Sequence, residues 1–353
     1  MPKHISTLKS NFHKHQINAY LINRDVNIRY LTGFPASESW FLVTSKQDFY
    51  ITDGRYKLEA QKGLPKSVKV QLFENSKFEE SLKLAHSQGV KVLGYDSRYV
   101  TVFEFSHLER FAKKAKIKLK ACNNLVEDMR AIKTPEEVDY IRQALQIHQK
   151  VLSMLKRRIK PGLTEKDILI YLKKFIETNN TNFSFDSIIA SGGNSCYPHA
   201  LVTERKILDN EAVLVDIGFE YKGYKSDLTR MFVLGRIAEL QKEVIEHVRQ
   251  AQACAIRIIR DGVPVAEVDR QARNYLEKNG LAKYFCHSTG HGVGLEIHEA
   301  PALSSKSDAV LRAGMVVTVE PGVYIPGKFG VRLEEMILVK KQEGELLSGN
   351  FNQ

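Results

Sequence analysis

The sequence predicts an α/β domain over residues 1–125, followed by an α+β domain over residues 126–353 with an internal pseudo-two-fold repeat. Three observations carry this expectation. Short apolar strands alternate with amphipathic stretches in the first third, a strongly capped helix start stands at Thr134, and a helix-turn-helix pattern recurs at a fixed offset in the second half. A chain of 353 residues has room for roughly two domains of ordinary size. With 43% hydrophobic and 26% charged residues it falls outside the disordered and low-complexity classes.

The first domain is read from the runs Ala19-Tyr20-Leu21-Ile22, Trp40-Phe41-Leu42-Val43, Phe49-Tyr50-Ile51, Val68-Lys69-Val70-Gln71-Leu72-Phe73 and Lys91-Val92-Leu93-Gly94. These are strand-length, and helical patterns between them suggest a layered α/β unit. The pattern changes between Val126 and Lys133. Thr134-Pro135-Glu136-Glu137 then reads as a helix start: Thr134 caps, Pro135 has no N–H to leave unpaired, and Glu137 can close a capping box. Val138, Ile141, Leu145, His148, Leu152, Leu155 and Ile159 recur three or four apart on one face until Pro161-Gly162 stops the helix. On that stripe His148 reads as a core or boundary histidine rather than a ligand.

Composition excludes several functions. Cys122, Cys196, Cys254 and Cys286 have no CxxC spacing, so they are expected as reduced thiols, and sequence proximity alone does not make Cys196/His199 or Cys286/His291 a nucleophile pair. The N-terminus lacks the apolar core of a signal peptide, and no apolar run approaches a membrane span. A cytoplasmic protein without a membrane partner is expected. The formal charge of +11 raises nucleic acid as a partner, but the lysines are dispersed. The densest cluster, Lys113 to Lys120, lacks interleaved aromatics and reads as a solvated face at a sheet edge, so no nucleic-acid partner is expected.

The repeat aligns Ile159-Lys160-Pro161-Gly162-Leu163, Asp167-Ile168 and Phe175-Ile176 with Ile259-Arg260-Asp261-Gly262-Val263, Glu267-Val268 and Tyr275-Leu276. Downstream of each copy an apolar strand ends in a carboxylate before a glycine, Val215-Asp216-Ile217-Gly218 and Val319-Glu320-Pro321-Gly322. Return strands carry a second carboxylate, Asp227 and Glu334. Each half is therefore expected to offer a hairpin with one acid per strand, close enough across the ladder, at about 5 Å, to present paired oxygens. Any one of these acids could instead face solvent or pair with Arg230 or Arg332. Several acids converging in apolar runs need a shared cation, because an unpaired buried carboxylate costs several kcal/mol or protonates.

Four carboxylates with His291 as nitrogen donor suit Mn²⁺, Co²⁺, Fe²⁺ or Zn²⁺ better than copper, and exceed what one divalent ion needs for charge balance. Two ions are expected, Mn²⁺ in the first place. A pair roughly 3.5 to 4 Å apart can hold and activate a water and polarise a carbonyl, which implies hydrolysis. Two competing motifs fail. His298-Glu299 does not open HExxH, since Pro301 interrupts and Ala302 stands at the second histidine's place, and Gly290, Gly292 and Gly294 do not make GxGxxG. These glycines are expected to let backbone approach the metal centre.

The stretches Val215-Asp216-Ile217-Gly218 with Tyr224-Lys225-Ser226-Asp227-Leu228-Thr229-Arg230, His287 to Glu299, Thr318-Val319-Glu320-Pro321-Gly322-Val323-Tyr324 and Gly330-Val331-Arg332-Leu333-Glu334 closely resemble the creatinase, aminopeptidase P and prolidase family of pita-bread metallopeptidases. Asn27 to Phe34 resembles that family's N-terminal entry motif, so the resemblance covers nearly the whole chain. It implies a creatinase-like domain before a pita-bread catalytic domain. It implies that Asp216 binds one metal, that Asp227 and Glu334 bridge both, and that His291 and Glu320 complete the second. Glu320 would also accept a proton from the bridging water. His199 and His298 would hold the peptide and its tetrahedral intermediate, and Arg332 is counted with the catalytic residues. The implied activity is a Xaa-Pro aminopeptidase, with Xaa-Pro dipeptidase (prolidase) as the alternative and a non-catalytic protein-binding pita-bread module as a more distant one. Ser37 to Thr44 with Ile51 to Tyr56 looks more like short bacterial-type aminopeptidase P chains. Methionine aminopeptidases usually lack the separate first domain, and creatinases replace metal-binding carboxylates that this chain retains. Proline-containing peptides are the implied substrates and a homodimer the implied assembly.

Overall fold

In this computed structural model residues 3–349 are described, and they form two compact units that divide between Arg130 and Ala131. The first unit is one six-stranded sheet in the order β4-β3-β2-β1-β5-β6, made by β1 (Ala19–Ile22), β2 (Trp40–Thr44), β3 (Asp48–Thr52), β4 (Val68–Leu72), β5 (Val92–Tyr95) and β6 (Lys118–Ala121). β1 to β3 are buried along their whole length, which is why they read as unbroken apolar runs. The helices are α1 (Lys3–Ser10), α2 (Phe12–His15), α3 (Asp25–Thr32), α4 (Lys57–Gly63), α5 (Lys77–Ser87), α6 (Val102–Ala115) and α7 (Leu125–Ala131). Phe78 and Leu82 of α5 and Leu108 of α6 pack with Trp40, Leu42 and Ile51 in the core of the unit. The basic cluster splits between the last turn of α6 and the sheet's edge strand β6, whose ends are exposed.

The second unit opens on α8 (Pro135–Arg158), which starts where expected: Thr134 Oγ1 accepts the Glu137 N–H, and the Glu137 carboxylate accepts the Thr134 N–H at 2.7 Å. Val138, Ile141, Leu145, His148, Leu152 and Leu155 are all buried. His148 is fully so, its Nδ1 3.3 Å from Ser226 Oγ and its ring edge-on to Phe219, a core histidine.

The repeat is a structural one. In the first half α8 is followed by α9 (Glu165–Asn179), β7 (Asn182–Phe183), β8 (Ile188–Ser191), β9 (Ala212–Ile217), β10 (Phe219–Tyr221), β11 (Tyr224–Lys225) and β12 (Leu228–Val233). In the second, α10 (Glu239–Arg257) is followed by α11 (Val265–Lys278), β13 (Gly290–Gly292), β14 (Glu299–Leu303), β15 (Val316–Val319), β16 (Gly322–Ile325), β17 (Phe329–Arg332), β18 (Glu335–Val339) and β19 (Gly344–Leu346). Both helix pairs turn at a glycine with positive φ, Gly162 at +90° and Gly262 at +84°, a region open to Gly without Cβ strain. The two N–H groups donate to Ile207 and Leu311 carbonyls, each at 2.9 Å.

The hairpins differ from expectation in one respect. Each splits into a base ladder and a tip ladder, β9/β12 with β10/β11 and β15/β18 with β16/β17. Asp216 lies in β9, but Asp227 directly precedes β12, Glu320 directly follows β15 and Glu334 directly precedes β18. The residue opposite Asp216 is Thr229. The acids are therefore not cross-strand neighbours. They stand at the break between base and tip, where the chain leaves one ladder for the next. Among the described residues no helix is long and apolar enough to cross a membrane, and all four cysteines are free.

Candidate metal centre

The breaks in the two hairpins face a common cleft of about 930 Å³ lined by residues of the second unit, with Asp216, Asp227, His291, Glu320 and Glu334 together on its wall. Asp227, His291 and Glu334 offer ligand atoms all within 4.8 Å of one another. His291 Nε2 lies 3.2 Å from Glu320 Oε1 and 3.5 Å from Asp227 Oδ2. Its Nδ1 is 3.1 Å from the Gly292 carbonyl, so a proton donated there would leave Nε2 as the nitrogen available to a metal ion once a cation displaces the Nε2 proton.

His291 stands on β13, which bulges between His291 and Gly292 as it pairs with β14. That pairing brings in His298, one residue before β14, with ring centroids 4.3 Å apart and planes at 85°. The stretch after His298 is strand, so no metal-binding HExxH helix forms. The close backbone approach at Gly290 is to the Thr318 carbonyl of the neighbouring strand, which a Cβ would strike. Gly292 likewise meets the Ala300 carbonyl, whereas Gly294 meets the Glu299 carboxylate, so none of the three has a metal-binding acid of the cluster as its nearest contact.

The electrostatics ask for a cation. Burial, then the Glu334, Asp216 and Glu320 charges, push Asp227 well above the ordinary carboxylate range. Burial, then Glu320 and Asp216, do the same to Glu334. Burial also lifts Asp216, against the opposing charge of Arg332. One oxygen of Asp216 and one of Glu334 are buried without any hydrogen-bond partner. Burial opposes ionisation of Glu320 too, but its bond to His291 and the charge of that imidazole outweigh it and hold Glu320 low. Reciprocally, Glu320 holds His291 above its usual value despite burial. Ionising all four acids would outnumber Arg332 and one imidazole and would need further positive charge, and the residues with orphaned oxygens line the cleft. Oxygen-rich donors with one imidazole fit hard or borderline divalent ions.

Arg332, expected among the catalytic residues, lines the cleft and is hydrogen-bonded through all three guanidinium nitrogens. Its Nη2 donates to Asp216 Oδ2 at 2.5 Å, Nε to Thr229 Oγ1 at 3.0 Å, and Nη1 to Tyr324 Oη at 2.7 Å and the Pro198 carbonyl at 3.1 Å. Thr229 Oγ1 in turn donates a hydrogen bond to Glu334 Oε2 at 2.9 Å. His199 lines the cleft from the exposed loop between β8 and β9. Sequence reasoning assigned no role to Thr229, Tyr324, Thr318 or His287. Thr318 Oγ1 accepts the His291 N–H and donates to Glu320, and His287 Nε2 lies 3.0 Å from Tyr324 Oη. All four lay inside the stretches that carried the resemblance, but nothing in the pattern marked them as supports.

Residues 139–341, more than half of the chain, match metallopeptidase family M24. The chain belongs to that family. Ahead of the M24 domain, residues 4–132 match the creatinase/prolidase N-terminal domain, and the pita-bread architecture expected from the sequence is the fold of the M24 domain. The chain is 35% identical over 339 residues to the Xaa-Pro dipeptidase of Pyrococcus horikoshii, covering 95% of this chain and 93% of that protein. Among solved structures, the Xaa-Pro dipeptidase from Bacillus anthracis superposes with a TM-score of 0.93 at 34% identity, over 99% of this chain and 98% of its own. The X-Pro aminopeptidase from Thermotoga maritima gives a TM-score of 0.85 at 31% identity, over 96% and 97%.

Proposed function

We propose that this M24 metallopeptidase is a Xaa-Pro aminopeptidase that removes the residue before proline at a peptide N-terminus. The observation that carries the reading is the cluster of buried acids with orphaned oxygens beside His291 on the wall of a cleft. Asp216, Asp227, His291, Glu320 and Glu334 would hold two divalent ions, Mn²⁺ in the first place and Co²⁺, Zn²⁺ or Fe²⁺ otherwise. When bound, such ions supply an activated water and polarise the scissile carbonyl.

The chain's own groups do the rest. Glu320 is the acid held low beside His291, so it is ionised at neutral pH and would accept a proton from the activated water. His298, kept below its ordinary value by burial and by the neighbouring His291 charge, is neutral and can donate one N–H to the oxyanion of the tetrahedral intermediate. His199 faces the same cleft as a second substrate contact. Arg332 acts through Asp216 as a positioning group.

A Xaa-Pro dipeptidase is the second reading, favoured by the names of the Pyrococcus horikoshii and Bacillus anthracis relatives. Hydrolysis of Gly-Pro, of Xaa-Pro-Pro and of longer peptides by the Mn²⁺-loaded protein separates the two. Activity on longer peptides supports the aminopeptidase, and turnover of the dipeptide alone selects the dipeptidase. A protein that takes up less than about one transition ion per chain and cleaves neither is a non-catalytic module. Light scattering tests the homodimer proposed for the assembly.

A further inference from the structure

Two acids outside the ligand set have a common placement. Glu165 opens α9 and Asp269 lies on α11, the second helix of each half, and both are fully buried. Glu165 Oε1 accepts the Ser191 N–H at 2.7 Å and its hydroxyl at 2.8 Å. Its Oε2 accepts Asn194 Nδ2 at 2.9 Å, the Thr203 N–H at 3.0 Å and the Thr203 hydroxyl at 2.6 Å. One carboxylate thus clasps both ends of the loop that carries His199. That loop has little apolar packing of its own, since Tyr197 and Leu201 are 64% and 82% exposed. Its other ties to the sheets include Ser195 to the Gly330 N–H, the Pro198 carbonyl to Arg332 and Arg205 to the Ser191 hydroxyl.

Asp269 plays the same part in the second half. Its Oδ1 accepts the Thr289 N–H at 3.1 Å and the Thr289 hydroxyl at 2.8 Å, while Arg273 neutralises it through two bonds of 3.0 Å. Arg273 also donates to the Phe285 and His287 carbonyls. The Thr289 carbonyl accepts the Glu320 N–H at 2.7 Å, and His291 follows two residues later. A single clasped threonine therefore sets the backbone of both His291 and Glu320.

We propose that Glu165 and Asp269 are positioning residues with divided duties, Asp269 holding the metal-binding pair His291 and Glu320, and Glu165 holding the His199 loop against the substrate. This rests on the metallopeptidase reading. A carboxylate satisfied by a main-chain N–H and a hydroxyl of the same residue fixes that residue's backbone and rotamer together, which an apolar contact does not.

The test is Mn²⁺ titration by calorimetry alongside steady-state kinetics on a Xaa-Pro-Pro peptide. Asp269→Asn and Thr289→Val should weaken Mn²⁺ binding about 10- to 100-fold, the size typical when a partner of a metal ligand is lost, and Thr289→Ser should restore it. Glu165→Gln and Thr203→Val should bind Mn²⁺ as the wild type does but lose about tenfold or more in kcat/KM, and the metal-free Glu165→Gln protein should be nicked faster by chymotrypsin after Leu201. Where an acid variant fails to fold, the threonine variant of the same clasp decides. Folded Thr289→Val protein with wild-type Mn²⁺ affinity, or Thr203→Val protein with wild-type kcat/KM, overturns that half of the proposal. A wild-type protein that binds no Mn²⁺ or Co²⁺ overturns the metallopeptidase reading itself, whereas unaltered variants of an active, metal-binding wild type overturn only the clasps.

Discussion

The first half of the second unit brings Asp216 of β9 and Asp227, just before β12, to the centre, whereas the second half brings Glu320 and Glu334 together with His291 and Arg332. The scaffold is repeated but the charge is not. The first half has no cation of its own beside Asp216, and the guanidinium that pairs with it comes from β17 of the second. In return the first half sends Thr229 to Glu334 Oε2, and Arg230 to the Glu334 carbonyl and the Glu335 carboxylate. A symmetric scaffold with asymmetric charge lets each half complete the other, so neither makes the centre alone.

The largest effect is expected at Asp227, the first half's contribution to the shared cluster. Asp227→Asn should lower kcat/KM on a Xaa-Pro peptide more than about a thousandfold, or over about 4 kcal/mol in the barrier. The metal-free variant should nonetheless melt above the wild type, by about 2–4 °C per kcal/mol of relieved repulsion, because burial and the neighbouring acids penalise the charge that Asn lacks. Undiminished turnover, or a lower melting temperature without metal, would contradict the assignment. Arg332→Met removes the cross-half counter-charge and strands Asp216. A loss of about 3–5 kcal/mol of unfolding free energy in denaturant is expected, and a loss below 1 kcal/mol would show that Asp216 does not depend on the second half.

Smaller effects sharpen the picture. His298→Ala should keep Mn²⁺ affinity while slowing kcat by roughly a hundredfold, and an unchanged kcat/KM returns His298 to a packing role. The smallest concerns His148, whose counterpart at the repeat offset is Val248, both fully buried. Burial, then the Arg230 charge, hold His148 well below its ordinary 6.5. Below pH 6.5 the unfolded chain therefore binds a proton that the folded one refuses, so stability is lost as pH falls from there toward the folded value. Each pH unit within that window costs up to about 1.4 kcal/mol. His148→Val should flatten the fall between pH 6.5 and 5.5, and equal slopes for the two proteins would remove His148 as its source.

Much of the fold was legible because its signals are local. The capping box at Thr134, the buried stripe of α8 and the glycine turns at Gly162 and Gly262 each follow from residues within a few positions of one another. The acids were legible because carboxylates in apolar runs contradict the pattern around them. The supports were not: Thr229, Tyr324, Glu165 and Asp269 are unremarkable in the chain, and their partners lie between 8 and 105 residues away. The expected cross-strand pairing of acids also failed, since alternation cannot reveal where a hairpin changes ladder.

By itself the sequence determined the domain order, the repeat and the set of acids and histidines available, because periodicity, capping and misplaced charge are written in neighbouring residues. Only the tertiary structure decided which oxygens are left without partners, that Arg332 serves Asp216 across the repeat, and that Glu320 stays charged while Asp227 and Glu334 resist ionisation. Those outcomes depend on burial and on distances of a few ångströms between residues remote in the chain, and electrostatic energy in a low-dielectric interior is set by such distances.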